Sequence, residues 1–321
     1  MRKRAALTSA VVLASLIAMS GASGDPWPSQ PIKVIVPLSP GSAADIVPRI
    51  VFEQVATQLG QTVIVENRPG ASGTIGARAV AMADPDGNTL LAHSSAHVIS
   101  PSTVADLPYD PIKDFAAVAP LGNLPLVLVI APSRNIKTVQ ELVALGKQRP
   151  IMFGSIGVGS PIHLAMERLR LSAGFQVQAI PFKGAPEALL EVMTGRVDVY
   201  YAPVPAALPQ VRQGKLVALA VSSPTRVPTL PDVPTTLESG YPNSAYRFWI
   251  GVFAPAKTPR DIVSRLKGEI QKALQVPGVR EKLTKLGVQP MAMNADEFGK
   301  FAKEELAINA ELAKAAGLTA H

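Results

Sequence analysis

An α/β fold with largely parallel sheets is what this 321-residue chain predicts. Two observations carry it. Short, β-branched, almost wholly apolar runs recur along the chain, as in strands covered on both faces. Between them lie stretches with helical apolar spacing and helix-end chemistry.

Ile32–Val36 (IKVIV) is the first such strand, and residues 37–42 turn the chain. Ala43–Leu59 then reads as a helix. Ile46, Ile50, Val51, Val55 and Leu59 fall on one face, and Gly60 ends it. Pro48 stands about one turn in, where a missing donor costs least. Residues 62–65 are a second strand and complete a βαβ opening. A Gly/Pro-rich loop over 67–76 leads to a short helix through Met82. Residues 84–87 (DPDG) are a turn, and 89–92 and 127–130 are strands. Thr138 and Glu141 form a capping box for a helix to about Lys147. The alternation continues with a strand at 151–154, a helix at 160–172, a strand at Val177–Pro181 and a helix at 187–194. Strands follow at 197–201, 216–221 and 250–254. Amphipathic helices occupy 260–274 and 296–315. No repeat of solenoid period is evident.

The length suits two domains, and no linker separates the halves. The strands at 127–130 and 250–254 are placed to carry the chain across between domains. Two crossings make the first domain discontinuous. One lobe is then residues 25–125 plus 247–321, the other 126–246, with a cleft between them. C-terminal helices packed on residues 126–246 would contradict this division.

Composition narrows the function. Lys and Arg number 31 against 24 Asp and Glu, a net +7. Arg2, Lys3 and Arg4 precede an apolar stretch at residues 5–19 and small-residue punctuation at 20–24. That is the pattern of a secretory signal peptide, residues 1–24. Its removal leaves 28 basic residues against 24 acidic ones, and no basic block remains. Nucleic acid is therefore not an expected partner. There is no cysteine, which excludes thiol catalysis, disulfides, Cys-ligated zinc and a lipidated N-terminal Cys. A soluble export product then works in the periplasm.

Two loops join buried strands to helices: residues 39–45 (SPGSAAD) and 154–160 (GSIGVGS). Ser160 is placed as an N-cap and Pro161 at the first helical position. Each loop sets free backbone N–H groups and a helix dipole's positive end at the C-terminal edge of a sheet. Small anions suit such an edge. Either loop alone is also compatible with an ordinary tight turn. Nucleotide fingerprints are absent: 154–159 is G-x-x-G-x-G, and the Gly-Lys pairs at Gly146, Gly214 and Gly299 lack the P-loop Ser or Thr. No cofactor is expected. His93 and His97 stand four apart in HSSAH, but position 94 is Ser where a zinc protease has Glu. A polar loop at a strand end is preferred to a metal site. No G-x-S-x-G elbow exists, so catalysis is not expected. His163 could reach the cleft or cap its own helix, and Asp198 opens a strand facing either cleft or solvent.

Seven segments together resemble the tripartite tricarboxylate transporter substrate-binding proteins, the Bug or TctC family. They are WPSQPIKVIVPLSPGSAAD, VIVENRPGASGTIGA, ADPDGNTLL, LPYDPIKDFAAVAPLG, GSIGVGSPIHLAMERL, IPFKGAPEALLEVMTGRVDV and LPDVPTTLESGYP, in family order. The resemblance implies a two-lobed periplasmic binding protein of type II, a Venus flytrap with mainly parallel sheets. It implies capture of a small organic carboxylate: a di- or tricarboxylate, an aromatic acid or an amino acid. The partners implied are integral-membrane transporter subunits. Carried over by motif, Pro40, Gly41, Ser42, Ala43, Ala44 and Asp45 form the first-lobe loop. Gly157, Val158, Gly159 and Ser160 form the second. His163, Phe182, Lys183 and Asp198 take further positions near the cleft, and Ser94, Ser95 and Ala96 another cleft-edge loop. Ser42 stands where the family often has a second glycine. Phe182 and Tyr201 are candidates to flank an apolar ligand body. A monomer is expected, since nothing in the sequence suggests an interface. The alternative function is a periplasmic carboxylate sensor acting through a membrane two-component kinase. A hydrolase ranks third for want of a nucleophile.

Overall fold

The computed structural model describes residues 27–70 and 73–318. The expected leader at 1–24 lies outside them. The chain begins with β1 (Ile32–Val36), α1 (Ala43–Leu59), β2 (Val63–Asn67) and α2 (Thr74–Ala81). It continues through β3 (Thr89–Ser94), α3 (Ala96–Thr103) and β4 (Phe115–Asn123). A second run comprises β5 (Leu126–Ile130), α4 (Val139–Gln148), β6 (Ile151–Ser155), α5 (Pro161–Ala173), β7 (Val177–Pro181), α6 (Ala185–Met193), β8 (Val199–Pro203), α7 (Val204–Arg212) and β9 (Val217–Val221). β10 (Trp249–Pro255), α8 (Arg260–Gln275), α9 (Pro277–Lys285) and α10 (Ala295–Ala315) complete it.

Two five-stranded sheets result, in the orders β2-β1-β3-β10-β4 and β7-β6-β8-β5-β9. They have the same plan. Four strands run one way, and the fourth in order, β10 or β5, runs against both its neighbours. The sheets are therefore mixed, with four strands of each sharing the expected common direction. The register gives the reason. β5 opens with Leu126 opposite Pro203, the last residue of β8, and β10 starts its pairing with β3 at Ile250 opposite Ser94, the last of β3. Each reversed strand enters its sheet at the edge where the parallel strands finish.

Neither apolar strand makes the crossing itself, contrary to expectation. Residues 124–125 carry the chain from β4 to β5, and residues 222–248 carry it back to β10. The two passages are tied together, as the Leu124 N–H donates to the Phe248 carbonyl at 2.6 Å, and the outgoing one is also held to α7, where the Val204 N–H donates to the Pro125 carbonyl at 3.1 Å. α8 packs on α1 and β4, and α10 on α3 and β4 with a further contact to α5.

The sequence reading passed over β4, α3, α7 and α9. β4 contains Pro120 and Gly122 and has register shifts against β10; its place at the sheet edge is where a strand tolerates proline. α3 carries Pro101, and α7 carries Pro209.

Both faces of β1, β5 and β10 are covered, so their side chains are almost wholly buried. Beneath the first sheet an aromatic cluster packs Trp249 edge-on to Phe298, 5.5 Å between centroids. Gly251 of β10 admits this packing, because a Cβ there would lie 2.2 Å from Cζ of the buried Phe298 ring. The ring is enclosed and has nowhere to move. Gly251→Val is therefore expected to cost about 2–3 kcal/mol by overpacking. Urea unfolding would show a lower midpoint with an unchanged slope.

Candidate functional site

The first loop is held from beneath by one carboxylate. Asp45, in the first turn of α1, is 3% exposed. Its Oδ2 accepts the Gly41 N–H at 2.8 Å; its Oδ1 accepts Nε of Arg49 and Nδ2 of Asn67, each at 2.9 Å. Asn67 also donates to the Leu38 carbonyl at 3.0 Å and accepts from Arg49 at 2.7 Å. Asp45 is thus occupied in bracing the loop. Gly41 adopts the left-handed φ of +79° that the turn requires. Ser42 is the N-cap by position, yet its hydroxyl makes no capping bond and is enclosed without a partner. The Asp45 N–H donates to the Ser42 carbonyl at 2.9 Å, and the Ser42 side chain claims none of the first-turn amides. Pro40 and Gly41 are exposed, Ala43 opens the helix and Ala44 is buried.

The second loop has an equivalent brace. Ser155 ends β6, and its Oγ meets the Gly157 N–H at 3.3 Å, the Gly157 carbonyl at 3.0 Å and Nδ1 of His163 at 3.0 Å. Ser160 caps α5 by accepting the His163 N–H at 3.2 Å. His163 is 3% exposed, so it backs the loop and does not face the cleft. Burial holds its imidazole down at about 4. Val158, at the loop tip, is exposed. Gly159 lies against Thr103, the last residue of α3: a Cβ would stand 2.3 Å from its Cγ2. The loop after β6 thus touches a helix of the first sheet.

The remaining predicted residues divide. Phe182 is half-buried and donates its N–H to the Ser155 carbonyl at 2.7 Å. Lys183 is exposed, with no ion pair among the described residues. The loop expected at 94–96 is a single-residue joint: Ser94 ends β3, Ser95 follows and Ala96 begins α3. Both serines are buried, and the Ser95 N–H donates to the Trp249 carbonyl at 2.9 Å. His93 and His97 lie not in a polar loop but in that strand and helix, fully buried. His97 packs against Tyr109, Phe115 and Phe253, and burial lowers it to about 4. Burial, and then the charge of His97, lowers His93 as well. Tyr201 is core.

Asp198 corrects the expectation most clearly. It stands just before β8, opposite the sheet edge that carries the 155–160 loop. Arg149 grips its carboxylate at 2.7 and 2.8 Å, Arg134 lies at 3.0 Å, and the Met152 N–H donates at 2.9 Å. Burial alone would raise this carboxyl, but the Arg149 bonds, the Met152 amide and the charges of Arg134 and Arg149 outweigh it and lower its pKa. It is an internal tie, with no valence left for a ligand.

Sequence reasoning missed Arg49, Asn67, Ser155 and Thr103. The Asp45–Arg49 pair had a signal in its i, i+4 spacing. Ser155 stands two residues before Gly157 in the same loop, and Asn67 and Thr103 are joined only through the fold.

Two α/β lobes on equivalent mixed sheets, connected at facing strand ends and presenting helix N-termini to the cleft between, define a two-lobed periplasmic binding protein of the Venus-flytrap type. The model of the tripartite tricarboxylate transporter family receptors, TctC, matches residues 47–318, and the chain belongs to that family. Its fold is similar to that of the periplasmic binding protein BugD, at 31% identity and a TM-score of 0.81 over 92% of this chain and 100% of BugD. It is similar to Rpa4515 of Rhodopseudomonas palustris, solved with adipate, at 29% identity and a TM-score of 0.84 over 92% of this chain and 100% of that one. It is also similar to MatC of the same organism, solved with bound malate, at 31% identity and a TM-score of 0.78 over 89% and 99% of the two chains.

Two outcomes follow from this geometry. His163 is held near 4 when folded and titrates at about 6.5 when unfolded, so the unfolded chain binds the extra proton between those values. Its contribution to stability is present above about pH 6.5 and falls as the pH drops toward 4. His163→Asn should flatten that fall by up to about 1.4 kcal/mol per pH unit, read from urea unfolding across the window. The two buried aspartates should part company. Asp198→Asn is expected to cost about 2 kcal/mol while leaving ligand affinity within about twofold. Asp45→Ala should cost about 1 kcal/mol and weaken ligand about tenfold, as calorimetry would measure.

Proposed function

We propose that this protein captures a small organic carboxylate between residues 25–125 plus 247–321 and residues 126–246. It then delivers the ligand to a tripartite tricarboxylate-type transporter in the membrane. It works in the periplasm as a monomer after loss of residues 1–24, and performs no chemistry on what it binds. One observation carries the reading. The glycine loops ahead of α1 and α5 each follow the C-terminal end of a parallel strand, and each is braced by buried side chains.

Backbone amides at two helix N-termini suit a carboxylate without a fixed counter-ion inside the site. Pro40, Gly41, Ser42, Ala43 and Ala44 supply one face, and Gly157, Val158, Gly159 and Ser160 the other. Phe182 and the unpaired Lys183 stand at the rim. The dicarboxylates held by two relatives, adipate and malate, are the first compounds to try.

The test is thermal unfolding of residues 25–321, refolded from denaturant, against small carboxylates and their amides. A ligand at about 100 times its dissociation constant stabilises by about 2.7 kcal/mol. An acid should raise the midpoint and its amide should not. Gly157→Leu should abolish the shift with circular dichroism unchanged. Equal shifts from acid and amide, or none from any acid, would overturn the proposal.

A further inference from the structure

A cavity lies away from the two glycine loops. After α9 the chain runs over residues 286–294 to reach α10, passing along β4. Between α8, α9, β4 and this run is a cavity of about 620 Å³, within the size range of small-molecule sites. Its walls include Leu121 of β4, Leu274 of α8, Leu283 of α9 and, on the run, Val288, Met291 and Met293. The paired methionines are unbranched and adapt to a flexible chain.

The electrostatics of the lining are one-sided. No Asp or Glu lines the cavity, and its one charged side chain is Arg280 of α9. The neighbouring cations are neutralised: Lys272 pairs with Glu269 at 2.7 Å, Lys282 with Glu53 at 3.2 Å and Lys285 with Glu281 at 2.7 Å. Arg280 is exposed and has no ion pair or side-chain hydrogen bond among the described residues. Gln271, Gln275, Thr284 and Asn294 also line the cavity. Leucine and methionine walls with a single free guanidinium suit an amphiphilic anion, because the planar fork matches a carboxylate.

We infer that this cavity binds a medium-chain aliphatic monocarboxylate, its chain among Leu274, Leu283 and the two methionines and its carboxylate on Arg280. The occupant rests on the passage between the lobes. Val288 packs against Gly122, where a Cβ would lie 2.3 Å from its Cγ1. The next residue, Gln289, exchanges two backbone hydrogen bonds with Asn123, each 2.8 Å, and residues 124–125 follow directly.

Methionine methyl resonances of the whole chain provide the test, with octanoate as the probe. Saturable shifts are expected at Met291 and Met293, with Met152 and Met166 unmoved. Arg280→Gln, and separately octanamide in place of octanoate, should each weaken binding by about tenfold or more. The absence of saturable shifts would overturn the inference. So would equal binding of octanamide, which would make the cavity a merely apolar hole. Loss of the Met291 and Met293 shifts in Gly157→Leu would assign octanoate to the cleft and overturn it too. The Gly157→Leu control separates this site from the cleft reading, which can fail independently.

Discussion

β5 and β10 each begin at the edge where their parallel neighbours end, and most of the architecture follows from that reversal. A chain leaving one sheet at its C-terminal edge, with only residues 124–125 to span, must enter the next sheet at the corresponding edge. The two sets of C-terminal edges are thereby brought face to face. Every βα turn of a parallel strand ends in a helix whose positive pole points out of that edge. The topology thus sets the first-turn backbone donors of α1 and α5 at those edges, after the C-terminal ends of β1 and β6.

Such donors are useful only if the loops bearing them hold their shape without a ligand. The charged and titratable groups near the cleft serve that end. Asp45 fastens Gly41, Arg49 and Asn67 into one network; Ser155 and a neutral His163 fasten the opposite loop. Asp198 does the same for the far edge of its sheet, where Arg149 and Arg134 converge. A buried carboxylate that is fully hydrogen-bonded at home has nothing left to offer a guest. This separates the residues that build the site from those that face it.

Much of this was legible in the chain. IKVIV and the 43–59 apolar spacing gave β1 and α1 their ends, because burial on both faces and a left-handed Gly60 leave strong local marks. The two glycine loops were also visible, since strand, turn and N-cap succeed one another in a few residues. β4 was not: it carries Pro120 and Gly122, which only the sheet edge and the Val288 contact explain. Nor could spacing alone tell a cleft aspartate from an internal one. Asp45 and Asp198 both flank apolar runs, and only the fold puts Asp45 in the first turn of α1, after β1 ends, and Asp198 ahead of the start of β8. Asn67 and Thr103 join the site from other elements, and such long-range meetings have no local signature.

The hydrogen bond from Leu124 to Phe248 binds the outgoing and returning passages into a double strap. Two straps fastened side by side resist sliding and shear but permit bending about the line through them. Relative movement of the halves is then a rotation with one principal axis, and displacement grows with distance from that axis. Thr103 and Gly159, which touch across the halves beyond the strap, lie at the end of the lever. A rotation about Leu124 would therefore be felt as a change in the contact between Gly159 and Thr103.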